Sequence, residues 1–158
     1  MTENTPKGKF TFKTAAFFFF ISMAFELYNI LNETTILGMS VAHIPAIISH
    51  LIYIGIFGSM GVGLWYAKNW GPKAVYGGTA FYSLDMLLYV LNRDGIEDGL
   101  IKNLATYGVE LQGSDIDQLM LMITMVVLAV IACWWGFALF THIRRGYFLQ
   151  SVQNTKNL

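Results

Sequence analysis

Glu26, His50 and Asp85 are the residues best able to do chemistry here, because each interrupts a long apolar segment. An ionisable group within a membrane span costs about 2.5–3.5 kcal/mol on insertion scales, so each requires a partner or a purpose. Glu26 shares a helical face with Ser22 and Asn29, four residues before it and three after. Asp85 belongs to a stripe that runs Gly78, Tyr82, Asp85, Tyr89, Asn92. His43 and His50, seven apart, share a face of their own segment. Counted from the ends of their segments, Glu26, His50 and Asp85 fall at similar depth. The sequence therefore predicts that they converge, with Asn29, Tyr82 and Tyr89 around them. Two carboxylates in a low-dielectric interior repel, and a histidine between them would bring a compensating proton. Such a cluster can serve as a hydrogen-bonded core that fixes helix register. It can equally form a proton or cation pathway, or a pocket for a small ligand.

Other chemistries fit less well. A bis-histidine haem needs ligands on two facing helices, but His43 and His50 share one, and His142 belongs to the opposite membrane face. No cofactor is predicted. A single-histidine haem or pigment, with space left by Gly55 and Gly58, and a copper ion are the alternatives the residues leave open. Copper would draw on His43, His50, Met120 and Met122, since thioethers suit Cu(I). Methionine is also an ordinary gap filler in apolar helices. The chain has no Glu-x-x-His pair, Cys-x-x-Cys pair, nucleotide loop or Gly-x-Ser-x-Gly elbow. Its single cysteine, Cys133, cannot form an internal disulfide and reads as a packing residue. No basic patch with interleaved aromatics points to nucleic acid.

The elements that must position these residues follow from composition. Of 158 residues, 55% are hydrophobic and 13% charged, against roughly 25% charged in a soluble domain. The apolar residues form four blocks, about 12–31, 41–66, 74–91 and 119–141. Each is close to the roughly 20 residues of helix that span the hydrocarbon layer. The blocks are continuous rather than alternating, which excludes a membrane barrel. The expected fold is an all-α, four-transmembrane-helix bundle over residues 12–147. A mobile stretch, 1–11, precedes it and a tail, 148–158, follows. In the polar segment 92–118, Ile96, Leu100, Ile101, Leu104 and Tyr107 recur at three- and four-residue steps. That spacing predicts a short amphipathic helix on the membrane surface between the third and fourth spans.

Charge sets the expected orientation. Four crossings place Lys7, Lys9, Lys13, Lys68, Lys73, Arg144, Arg145 and Lys156 on one side, eight of the ten cations. The other side carries Arg93 and Lys102 with seven acidic residues. By the positive-inside rule both termini are expected in the cytoplasm, in a cell (inner) membrane. His142, Arg144 and Arg145 then form a basic anchor at the cytoplasmic surface, suited to anionic lipid. Gly55, Ser59 and Gly63 recur every four residues and predict close helix packing, within the bundle or against a partner.

These readings lead to two functional expectations. One is a small accessory or scaffolding subunit of a membrane complex, working with other membrane subunits or as a homo-oligomer. The other is an oligomeric transporter, channel or small-ligand-binding protein built around Glu26, His50 and Asp85.

Overall fold

The computed structural model describes residues 8–106, 108 and 113–149. Most of the expected mobile N-terminal stretch and tail lies outside these residues, as does Tyr107 of the amphipathic stripe. Among the described residues, four helices are long and apolar enough to cross a bilayer: α1 Lys9–Tyr28, α2 His43–Trp65, α3 Gly71–Leu91 and α5 Gly113–Ile143. The fifth, α4 (Arg93–Thr106), lies between the third and fourth spans. The fold is an all-α four-helix bundle, as composition and block length require. Its outer surface confirms the solvent for which it is built. Phe17, Phe18, Ile48, Leu51, Leu84, Leu121, Val126 and Leu139 are all exposed along the spans. A monomer in water does not leave so large an apolar surface uncovered.

Boundaries shift in ways that local chemistry explains. Helix α1 begins at Lys9, so residues 9–11 of the expected mobile stretch are helical. Proline in the first turn of α3 lets that helix start at Gly71, three residues before the expected boundary. Helix α5 begins at Gly113 and adds a polar turn below its apolar segment. Its 31 residues extend about 46 Å at 1.5 Å per residue. The expected tail also starts inside the fold: Phe148 is fully buried and Tyr147 donates a hydrogen bond to the Leu64 carbonyl at 3.3 Å.

Aromatic residues form the core at the end of the bundle that carries residues 8 and 149. Phe12 packs against Phe140, Tyr147 and Phe148 at ring separations of 4.9–5.5 Å. Met60, Leu64 and Val75 complete this cluster. Neighbouring helices approach where side chains are absent. A Cβ on Gly63 would lie 2.8 Å from the Gly71 backbone, and one on Gly61 would lie 2.7 Å from the Phe20 ring. The predicted Gly55–Ser59–Gly63 seam divides accordingly. Gly63 is buried at the α2–α3 turn, Ser59 returns its hydroxyl to the Ile56 carbonyl, and Gly55 faces open space.

At the opposite end the link between α1 and α2 is a β-hairpin. Strand β1 (Thr34–Ile36) pairs antiparallel with β2 (Met39–Val41), Ile36 opposite Met39. The two-residue turn has Leu37 at φ 52° and Gly38 at φ 75°. Positive φ at both positions matches the right-handed twist of the strands. Leucine is a poor residue for that conformation, which is why the sequence gives so weak a hairpin signal. Helix α4 docks on the same end. Ile96 is buried against Ile116 and Met120 of α5, with Leu100 and Tyr89 alongside. Ile96 and Leu100 of its apolar stripe thus pack on the bundle while Ile101 is exposed, and Arg93 pairs with Asp117 on the exterior.

Candidate functional site

Glu26, near the C-terminal end of α1, faces His50 on α2. Glu26 Oε2 and His50 Nδ1 are 2.7 Å apart, and His50 Nε2 lies 3.3 Å from the Asn32 carbonyl. His50 is buried and Glu26 about one-quarter exposed, so the pair stands at the edge of the protein interior.

Asp85 makes a second set of contacts. Its Oδ2 accepts from the Tyr53 hydroxyl and its Oδ1 from the Leu37 backbone N–H. The carboxylate is buried, at 3% exposure. One side chain therefore joins α3 to α2 and holds the tip of the hairpin. Asn92, at the end of α3, donates to the Gly38 carbonyl and fixes the other half of the same turn. The unusual Leu37 backbone is stabilised by the acceptor its N–H meets.

Both carboxylates line one cavity of about 360 Å³, together with Ser22, Thr34, Thr35 and Tyr82. Phe25, Tyr53, Phe57 and Met86 supply the rest of its wall. Behind the wall the rings continue. Tyr82 stacks on Trp134 at 4.8 Å, and Phe57 lies 6.4 Å from Trp134 and 5.8 Å from Tyr53. The hairpin contributes Thr34 and Thr35, so the site borders the hairpin end of the bundle.

The six residues expected to cluster are thus distributed unevenly. Glu26, Tyr82 and Asp85 meet at the cavity, and His50 supports Glu26 from behind. Three-way convergence of Glu26, His50 and Asp85 gives way to two pairs, Glu26–His50 and Tyr53–Asp85. Asn29 turns back on its own helix, donating to Phe25 O at 2.9 Å and accepting from Asn32 at 2.8 Å. Tyr89 packs beside α4 and lines a separate polar cavity with Asn92 and Gly95. Face and depth placed these two residues near the cluster, but α1 ends before Asn29 and Tyr89 packs beside α4.

Tyr53 and the Leu37 N–H are the participants the sequence reading missed. Tyr53 lies three residues beyond His50, on the same face, so its spacing could have found it. Nothing local marks Leu37, whose role depends on a contact 48 residues away.

The residues considered for metal or pigment binding occupy different environments. His43 is exposed at the start of α2, Met120 is buried beside Ile96 and Ile116, and Met122 is exposed. Both ring nitrogens of His50 already have partners, so an axial bond to a haem or pigment would displace one. Among the described residues, no group of three or more His, Cys, Asp or Glu side chains is placed to hold a metal ion. His142 sits near Tyr76, its Nδ1 3.4 Å from the hydroxyl, and Arg144 and Arg145 are exposed at the far end of α5.

Compared with models of protein families, with curated proteins and with solved structures, the chain matches none.

Proposed function

We propose that this membrane protein binds, and in an oligomer conducts, a small polar solute through the cavity between Glu26 and Asp85. The observation that carries this reading is the pairing of two carboxylates in one 360 Å³ space, each already positioned by a fixed partner. That volume falls within the range of small-molecule sites. A polar cluster needed only for register would be most stable packed shut, with every polar atom paired inside the bundle. Here two carboxylates, three hydroxyl-bearing side chains from α1 and the hairpin, and Tyr82 face open volume. Charge distribution supports an orientation with the hairpin end outside and the basic end in the cytoplasm, so solute would enter from outside.

The test is a thermal-shift panel on purified protein, using small cations, neutral solutes and anions of similar size. Ser22→Leu fills the cavity from α1. A saturable shift that disappears in Ser22→Leu supports the reading. A flat panel across all three classes, from a folded sample, refutes it.

A second reading, an accessory or scaffolding subunit, draws on a different feature. Gly55, Gly77 and Gly136 lie within spans but have open space where a side chain would be. Glycine inside a helix costs about 1 kcal/mol relative to alanine, and close approach of another helix would offset that cost. Native-mass measurement after gentle purification distinguishes the two, because stoichiometric co-purifying chains favour the subunit reading.

A further inference from the structure

We infer that the solute is an organic ammonium ion. This rests on the binding function proposed above and gives its ligand a chemical class. The first argument is charge. Glu26 and Asp85 face the cavity from α1 and α3. The charged or titratable group behind them on α2, His50, is directed at Glu26 Oε2 and Asn32 rather than into the space. Among the described residues, no lysine or arginine lines the cavity. An entering anion would meet two carboxylates without a balancing cation, whereas an ammonium would meet complementary charge.

Size provides the second argument. A bare divalent ion such as Mg²⁺ or Ca²⁺ is held by oxygens at about 2.0–2.6 Å, in a space far smaller than this one. A volume of 360 Å³ lies toward the lower end of the range of small-molecule sites, room for a compact organic cation rather than a single bare ion.

The aromatic wall is the third. Phe25, Tyr53, Phe57 and Tyr82 present rings to the same volume as the carboxylates, and Tyr82 is backed by Trp134. A ring face attracts a weakly hydrated cation within about 6 Å, and combined rings are a recurrent means of holding substituted ammonium groups. A neutral polyol would gain from Ser22, Thr34 and Thr35 but would leave the carboxylates without a counter-charge. Rings and acids together select a cation with apolar substituents.

The experiment titrates purified protein in nanodiscs with choline, tetramethylammonium, sodium and 3,3-dimethylbutanol, the neutral carbon analogue of choline. Calorimetry and quenching of tryptophan fluorescence report binding, since Trp134 stacks on the cavity residue Tyr82. The expected result is saturable binding of both ammonium ions, at least tenfold tighter than the neutral analogue and than sodium. Glu26→Gln should weaken choline by roughly tenfold or more, through loss of a charge in a partly desolvated site. Tyr82→Leu should weaken it by about threefold or more while leaving Glu26 and Asp85 in place. Two carboxylate and ring variants guard against a single one that does not fold. Equal binding of choline and 3,3-dimethylbutanol would overturn the ammonium assignment and leave small-solute binding intact. Binding of sodium alone would likewise replace it with an inorganic cation. If none of the four binds and the wider thermal-shift panel is also flat, the binding function itself falls.

Discussion

Replacing Asp85 should release the hairpin before it unfolds the bundle. Asp85→Ala removes the acceptor of two hydrogen bonds, from Leu37 N–H and from the Tyr53 hydroxyl. Hydrogen bonds to a charged group contribute about 1.5–3 kcal/mol each. The Leu37 amide is the sensitive reporter, because that bond alone ties the leucine half of the turn to α3. Losing it should accelerate exchange at Leu37 by about 10- to 150-fold, at 1.4 kcal/mol per factor of ten. Asp85→Asn keeps one acceptor oxygen and should change the same amide only a few-fold. Tyr53→Phe removes the other bond and should leave the Leu37 rate unchanged, while lowering global stability by about 1.5–3 kcal/mol. The assay is amide hydrogen exchange in detergent or nanodiscs, with helical circular dichroism and monodispersity as checks on the fold. Wild-type exchange at Leu37 in a folded Asp85→Ala sample would show that the turn is held by something else, and the role given to Asp85 would fail.

Other expectations follow from individual contacts. A double-mutant cycle of Glu26→Gln and His50→Gln should give a coupling of about 1–3 kcal/mol in thermal unfolding; additivity within about 0.5 kcal/mol would refute a direct pair. Gly63→Ala should destabilise by about 1–3 kcal/mol because its methyl meets the Gly71 backbone. Gly55→Ala, into open space, should be neutral or stabilise by up to about 1 kcal/mol, and comparing the two melting temperatures checks the seam. Phe148→Ala should cost about 3–5 kcal/mol if the buried ring is part of the core; an unchanged melting temperature would place it outside. Burial raises the Tyr147 hydroxyl above its ordinary range. Its contribution is therefore complete below about pH 10 and lost as pH rises further, because the unfolded chain releases that proton first. The stability difference between wild type and Tyr147→Phe should narrow above that pH; a constant difference from pH 8 to 11 would contradict the assignment.

Sequence alone determined the bulk of this protein. Apolar blocks the length of a bilayer, with no alternation, leave helices as the structure that can satisfy its backbone. Four such blocks in one short chain, each returning across the layer, give an antiparallel bundle. Helical spacing also brought out Glu26, His50, Tyr82 and Asp85, because an ionisable group in an apolar segment is conspicuous whatever surrounds it. Tertiary structure decided how those residues pair. Spacing fixes which residues share a face, but not where each helix ends or what packs on it: α1 stops at Tyr28, one residue before Asn29, and Tyr89 packs beside α4. Nor could spacing reveal that Asp85 would be engaged by Tyr53 and the hairpin instead of His50. The hairpin itself depends on tertiary contacts. Its turn places leucine where glycine or asparagine is usual, and becomes stable through Asp85 and Asn92, acceptor and donor supplied from α3. Hydrophobic pattern is a property of each segment by itself, while a polar site is a property of the distances between segments.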